Sequence, residues 1–135
     1  MTVEKSTTIT EYNESQNSDY FAVCTTLMNE INKELVEANS KMWHGGPVWF
    51  LDDNPVVGYS VRKQGVALLF WSGQSFDEQG LEAEGSFKAA QKFYQTSADV
   101  NEIDLARWLK KSRDIQWDYK NIVKRRGELV RIDFE

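Results

Sequence analysis

Few side chains in this sequence are chemically equipped for catalysis. There is one histidine, His44, and one cysteine, Cys24, in segments of different patterning. An imidazole titrates near neutrality and can act as a general base when a carboxylate orients it, and Asp52 or Asp53, the next acids along the chain, would serve if the fold brought them to His44. The same two acids precede Asn54 and Pro55, where short carboxylate side chains stabilise turns by accepting from backbone N–H groups. Cys24 lies among apolar residues at helical spacing and reads as a buried, inert thiol; one His and one Cys in separate segments exclude a structural zinc site. No nucleophile elbow, phosphate loop or dinucleotide fingerprint is present. An enzyme with His44 as base therefore stands as a third reading, behind two non-enzymatic ones.

The aromatic residues suggest the next kind of chemistry. Trp43, Trp49, Tyr59 and Trp71 come from adjacent elements and could converge into a ring-lined pocket for a flat or apolar ligand, with His44 as its polar contact. Large side chains are also what a small domain needs to fill its interior, so these residues equally fit a core. The run "KMWHGGPVWFLDDNP", residues 41 to 55, concentrates the question. Gly45, Gly46 and Pro47 let the backbone turn sharply out of a helix exit into a first strand.

These residues need elements to position them. Residues 1–17 are polar and without period, which predicts a disordered arm, followed by a single domain over 18–135. Phe21, Cys24, Met28, Ile31, Leu35 and Ala38 recur at steps of three and four and predict a helix capped by Ser18 or Asp19 and ending near Asn39. "PVWFLD", "VVGYSVRK" and "VALLFWS" have strand character, and the short links "DNP" and "KQG" imply an antiparallel meander. "GQSFDEQGLEAEG" reads as a loop with one short helical turn, and "FKAAQKFYQ" as a fourth strand. Asp99 opens a helix whose apolar face is Val100, Ile103, Ala106 and Leu109, or Leu105, Trp108 and Leu109. "IQWDYKNIVKRR" predicts a further helix stopped at Gly127, and the alternating tail "ELVRIDFE" an edge strand or an extended segment. The fold class is α+β: an antiparallel sheet of about four or five strands, with the N-terminal helix and the C-terminal helices on one side.

A chain of 135 residues with 41% hydrophobic content can bury one core. It contains no apolar run of about 18 residues and no apolar signal core at its start, so no membrane association and a cytoplasmic location are expected. Net charge is −5, divided between a first part (residues 1–84) with 13 acids and 5 bases and a second with 8 acids and 11 bases. That balance disfavours nucleic acid as a partner. The cluster "KNIVKRRGELVR" is either a weak basic patch for an acidic partner or a second subunit, or a solvated helix end.

The runs "MWHGGPVWFLDDNPVVGYS", "GVALLFWSG" and "ARWLKKSRDIQWDYKNIVKRRG" resemble the YdhG-like family of small bacterial proteins, over about residues 20–127. The resemblance implies an antiparallel sheet covered on one side by helices. Some members are described as frataxin-like proteins that supply iron to iron–sulfur assembly, and the resemblance thereby implies an iron-binding role for an acidic face, here Glu30, Glu34 and Glu37 at helical spacing opposite the apolar stripe. The leading expectation is a cytosolic, frataxin-like iron-binding or iron-delivery protein. The second is a small-ligand or protein-interaction module built on the aromatic cluster around His44, with a homodimer as one form.

Overall fold

A computed structural model describes residues 8–134. The chain begins with two helices, α1 (Ile9–Glu14) and α2 (Ser18–Glu34). Six strands follow: β1 (Asn39–Trp43), β2 (Gly46–Leu51), β3 (Asn54–Arg62), β4 (Gly65–Phe70), β5 (Glu82–Ala83) and β6 (Ala90–Tyr94). A third helix, α3 (Glu102–Asp114), precedes an irregular C-terminal segment. All neighbouring strands are antiparallel in the order β1-β2-β3-β4-β6-β5. The class is α+β as expected, with six strands rather than four or five. No helix among the described residues is long and apolar enough to cross a membrane.

Alternation in the strands sorts residues onto two faces. Trp49, Val57, Tyr59, Val66, Leu68, Phe70 and Tyr94 point to the helices, where they join Val23, Cys24, Leu27 and Ile31 of α2 and Leu105, Trp108 and Leu109 of α3 in one buried cluster. Of the two apolar faces open to α3, the second is therefore the buried one, and Ile103 is 79% exposed. In α2 the buried stripe passes through Val23 and Leu27, leaving Phe21 exposed. Its cap is Asn17, whose side chain accepts from the Tyr20 N–H at 2.9 Å, and it stops at Glu34, short of the expected Asn39; residues 39–43 form β1, a strand beyond those expected.

Part of the expected arm is ordered. Thr8 and Glu11 form a reciprocal capping box that starts α1. Its side chains reach the sheet: the Tyr59 hydroxyl donates to Asn13 Oδ1 at 2.7 Å, and the Val61 N–H donates to the Tyr12 hydroxyl at 2.9 Å. Residues 1–7 of that arm lie outside the described residues.

The loop between β4 and β6 is fastened to α3 by Glu78, whose side chain is only 8% exposed. Its carboxylate accepts from Arg107 Nε and Nη2 at 2.9 and 2.8 Å, from Lys111 Nζ at 2.7 Å and from Trp108 Nε1 at 2.8 Å. These partners, Arg107 foremost, hold the carboxyl well below the usual carboxylate range although its burial works the other way.

The helix expected over residues 115–126 is replaced by an irregular strap. Trp117 bridges to Arg131, the Asp118 N–H donates to the Val130 carbonyl at 2.7 Å, and the Ile132 N–H donates to the Gln116 carbonyl at 2.9 Å. The tail thus takes the backbone groups a helix would have used, and packs extended. Buried Asn54 fixes the strap to the sheet, donating to Gln116 Oε1 at 2.9 Å and to the Trp117 carbonyl at 3.0 Å, and accepting from the Lys120 N–H at 3.0 Å. A short 3-10 turn at Tyr119–Asn121 and successive hydrogen-bonded turns lead to Gly127, which is left-handed at φ 91° as expected.

Candidate functional site

The sheet face away from the helices carries the second set of alternating residues. The register places Lys41, Val48, Gly58, Leu69 and Gln91 in one row across five strands. Ser60 lies opposite Ala67 in the next row. None of these belongs to the helix-covered core cluster. At the centre the side chains are small, and at Gly58 there is none: a Cβ there would come within 2.6 Å of the Pro47 carbonyl oxygen. The floor is consequently shallow and close to backbone.

Over it lie three aromatic rings. Trp43, at the end of β1, stacks on Trp71 just beyond β4 with centroids 6.1 Å apart and 28° between planes, and it meets Phe50 edge-on at 5.3 Å. Lys41 Nζ sits 5.0 Å from the Phe50 centroid. Trp43 retains 36% of its exposure. Beside the indoles is a cavity of about 130 Å³ with Gly58, Ala67 and Leu69 at its base and Trp43, His44 and Trp71 on its wall. Its polar rim is Arg62, whose Nε donates to Ser60 Oγ at 3.0 Å, and Glu84, which accepts from Gln91 Nε2 at 3.1 Å.

The turn that presents His44 is a two-residue hairpin loop. Trp43 pairs with Gly46, and His44 and Gly45 both have positive φ, 52° and 87°, the requirement of the turn type whose twist suits a hairpin. The glycines therefore serve a β1–β2 hairpin, not a helix exit. The imidazole packs on Trp43 with centroids 4.1 Å apart. Asp52 and Asp53 form the equivalent turn at the opposite end of β2, at φ 52° and 67°. With five residue steps of strand between the turns they lie about 17 Å from His44 and do not orient it.

The five aromatic-site residues of the sequence are thus divided. Trp43, His44 and Trp71 meet on the open face. Trp49 and Tyr59 point the other way, 1% and 3% exposed, into the core, where Trp49 Nε1 donates to Asn32 Oδ1 at 2.8 Å and the Tyr59 hydroxyl is held by Asn13. Alternation along β3 and β4 carries the signal that separates them: Gly58, Ser60, Ala67 and Leu69 form a small-residue face at period two, and it also points to Arg62 at the rim.

Glu30, Glu34 and Glu37 do not assemble into a metal site. Glu37 lies beyond the end of α2 and its carboxylate accepts from Arg113 Nε and Nη2 at 2.9 and 3.0 Å. Glu30 pairs with Lys33 at 3.3 Å. Among the described residues no group of three or more His, Cys, Asp or Glu is arranged to hold a metal ion. Cys24 is free and fully buried, and burial pushes its thiol up to about 12, so it is neither ligand nor nucleophile.

A larger cleft, about 500 Å³, opens between the β2–β3 turn and the strap. Most of its polar side chains are held by partners. Arg113 holds Glu37, Lys120 Nζ donates to the Asp52 carbonyl at 2.7 Å, and Asp118 is held by Arg125 and Asn121. Against burial, those two partners keep the Asp118 carboxyl below its ordinary value. The basic cluster of the sequence is in this way partly spent inside the strap. The cleft's size would admit a ligand, but its donors already have acceptors, and the smaller aromatic site has the chemistry.

Compared with known protein families, curated proteins and solved structures, the chain matches none.

Proposed function

We propose that this protein is a non-enzymatic binding module that takes a single ring, as a small molecule or as a side chain of a partner, against Trp43 and Trp71 on the uncovered face of its sheet. The observation that carries the reading is the 130 Å³ cavity beside the stacked indoles, floored by Gly58. An engineered cavity of about 150 Å³ suffices to hold benzene, so this one is scaled to one ring rather than to a nucleotide. Two adjoining, partly exposed indoles are a feature of interaction surfaces, where Trp is enriched because one end is apolar and the N–H can find a partner. Arg62, Ser60 and His44 offer donors at the rim and would orient a ring bearing an acidic or hydroxyl group.

The proposed kinship with YdhG-like proteins would bring an iron-delivery role. Of the carboxylates that would carry it, Glu37 is engaged by Arg113 and Glu30 by Lys33, and among the described residues no group of three is arranged to hold a metal. Neither Asp52 nor Asp53 reaches His44 to orient it as a catalytic base, since both lie in the turn at the other end of β2.

The test is an NMR titration of the nitrogen-15-labelled chain with millimolar indole, phenol and benzoate. The indole N–H signals of Trp43 and Trp71 should shift together, benzoate more strongly than phenol, and Trp43→Ala should weaken binding at least tenfold. Unmoved indole signals with all three compounds would overturn the proposal, as would unchanged affinity in Trp43→Ala.

A further inference from the structure

Beside the aromatic face lies a feature that a one-ring site does not use. β1 is an edge strand among the described residues, five residues long and exposed at four of them. The two-residue turn makes Trp43 and Gly46 a hydrogen-bonded pair, and alternation then assigns Met42, opposite Pro47, and Ser40, opposite Trp49, to the positions whose N–H and C=O point away from β2. Pro47 agrees with this, since it has no N–H to give Met42. Two residues thus offer paired donors and acceptors to a further strand. The opposite edge, β5, is only two residues long.

Charge specifies what would pair there. The chain contains 21 acids, yet residues 38–51, the whole hairpin and its approach, contain none, while they carry Lys41, and Arg62 stands at the same end of the sheet. Two copies of β1 paired antiparallel would bring Lys41 against its own counterpart, an arrangement that proteins use to keep edges apart. An acidic strand meets the reverse situation. On the open face it would run beside Lys41 and Trp43, which are two apart and share that face, so its own alternate residues would reach them in turn.

We propose that β1 is a docking edge for an extended, acidic segment of another protein, which adds as a seventh strand, setting a carboxylate by Lys41 and a ring by Trp43. The ring contact rests on the binding role proposed above for Trp43 and Trp71; the backbone pairing and the charge preference do not.

The test selects binders of the intact chain from a displayed library of random decapeptides, then measures the enriched peptides by fluorescence anisotropy. Enriched sequences should hold acidic residues alternating with one aromatic residue. Binding should fall at least tenfold in Met42→Pro, which removes the edge N–H where proline is structurally tolerated, and in Lys41→Glu, which leaves the backbone intact. Hydrogen exchange at Ser40 and Met42 should slow on binding. An unchanged amide spectrum away from β1 shows that the variants are folded; were Met42→Pro to unfold, Lys41→Glu and the exchange data decide alone. No enrichment, enrichment without acidic bias, binding indifferent to Lys41→Glu, or self-association through β1 in sedimentation would each overturn the proposal. Ring compounds that still bind in Met42→Pro would show the aromatic site surviving a failed edge; loss of ring binding with edge binding kept would show the converse.

Discussion

Replacing Asn54 with alanine should detach the C-terminal strap from the sheet. Asn54 is 1% exposed and makes three hydrogen bonds, to the Gln116 side chain, the Trp117 carbonyl and the Lys120 N–H. Each bond contributes about 1 kcal/mol net, and the Gln116 side chain, 4% exposed, would be left with a buried oxygen lacking a donor, so the loss should be about 3 to 4 kcal/mol. In a domain of this size that is a fall in Tm of about 12 °C. Urea unfolding followed by circular dichroism measures the total, and native-state hydrogen exchange locates it: the Asp118 and Ile132 amides, which bond to the Val130 and Gln116 carbonyls, should lose protection before the sheet does. The double variant Asn54→Ala/Gln116→Leu should be at least about 1 kcal/mol less destabilised than the sum of its parts, because the stranded oxygen is gone. A loss below about 1 kcal/mol, or unchanged exchange at Asp118 and Ile132, would refute the assignment of Asn54 as the fastener.

Other outcomes follow from the geometry. Glu78→Gln should cost about 2 to 3 kcal/mol at pH 7, since three cationic or indole donors lose a charged acceptor. As the folded carboxyl is held below its unfolded value, wild-type stability from this group is complete above pH about 4.3 and fades as pH falls, so the gap between wild type and variant in urea midpoint should close toward pH 2; a constant gap would contradict the carboxylate's role. Cys24 should resist a thiol reagent at pH 8 in the native state and react fully in urea, and native reaction at the rate of a free thiol would contradict its burial. His44→Asn, which suits the left-handed turn better, should raise stability by up to about 1 kcal/mol in a thermal melt while weakening benzoate binding; a loss of stability would mean the imidazole packs for structure.

How much of this could be read from sequence varied with the physical source of the signal. The strands β2, β3, β4 and β6 and the helix α3 carry their own periodicity and are legible, since alternation and the i, i+3, i+4 pattern are local. β1 is not, because "NSKMW" has no alternating apolar set and becomes a strand only by pairing with β2. The strap reads as a helix for the opposite reason: its composition favours one, and Asn54, 62 residues earlier, outweighs that preference. Within the site, the five candidate residues share the same types, and only strand phase separates Trp43, His44 and Trp71, which line the open face, from Trp49 and Tyr59 in the core. The three glutamates look alike on a helical projection. That projection fails once α2 ends at Glu34.

The three turns that join β1, β2, β3 and β4 are two residues long, so most of the sheet is assembled from contacts between chain neighbours. Closing such hairpins takes microseconds, whereas uniting Asn54 with Gln116 must first bring distant parts of the chain together. The meander should therefore be formed in the folding transition state and the strap added after it. Loosening the strap would then leave the folding rate almost unchanged and appear as faster unfolding, which makes the Asn54 contact the element that sets the protein's lifetime once folded.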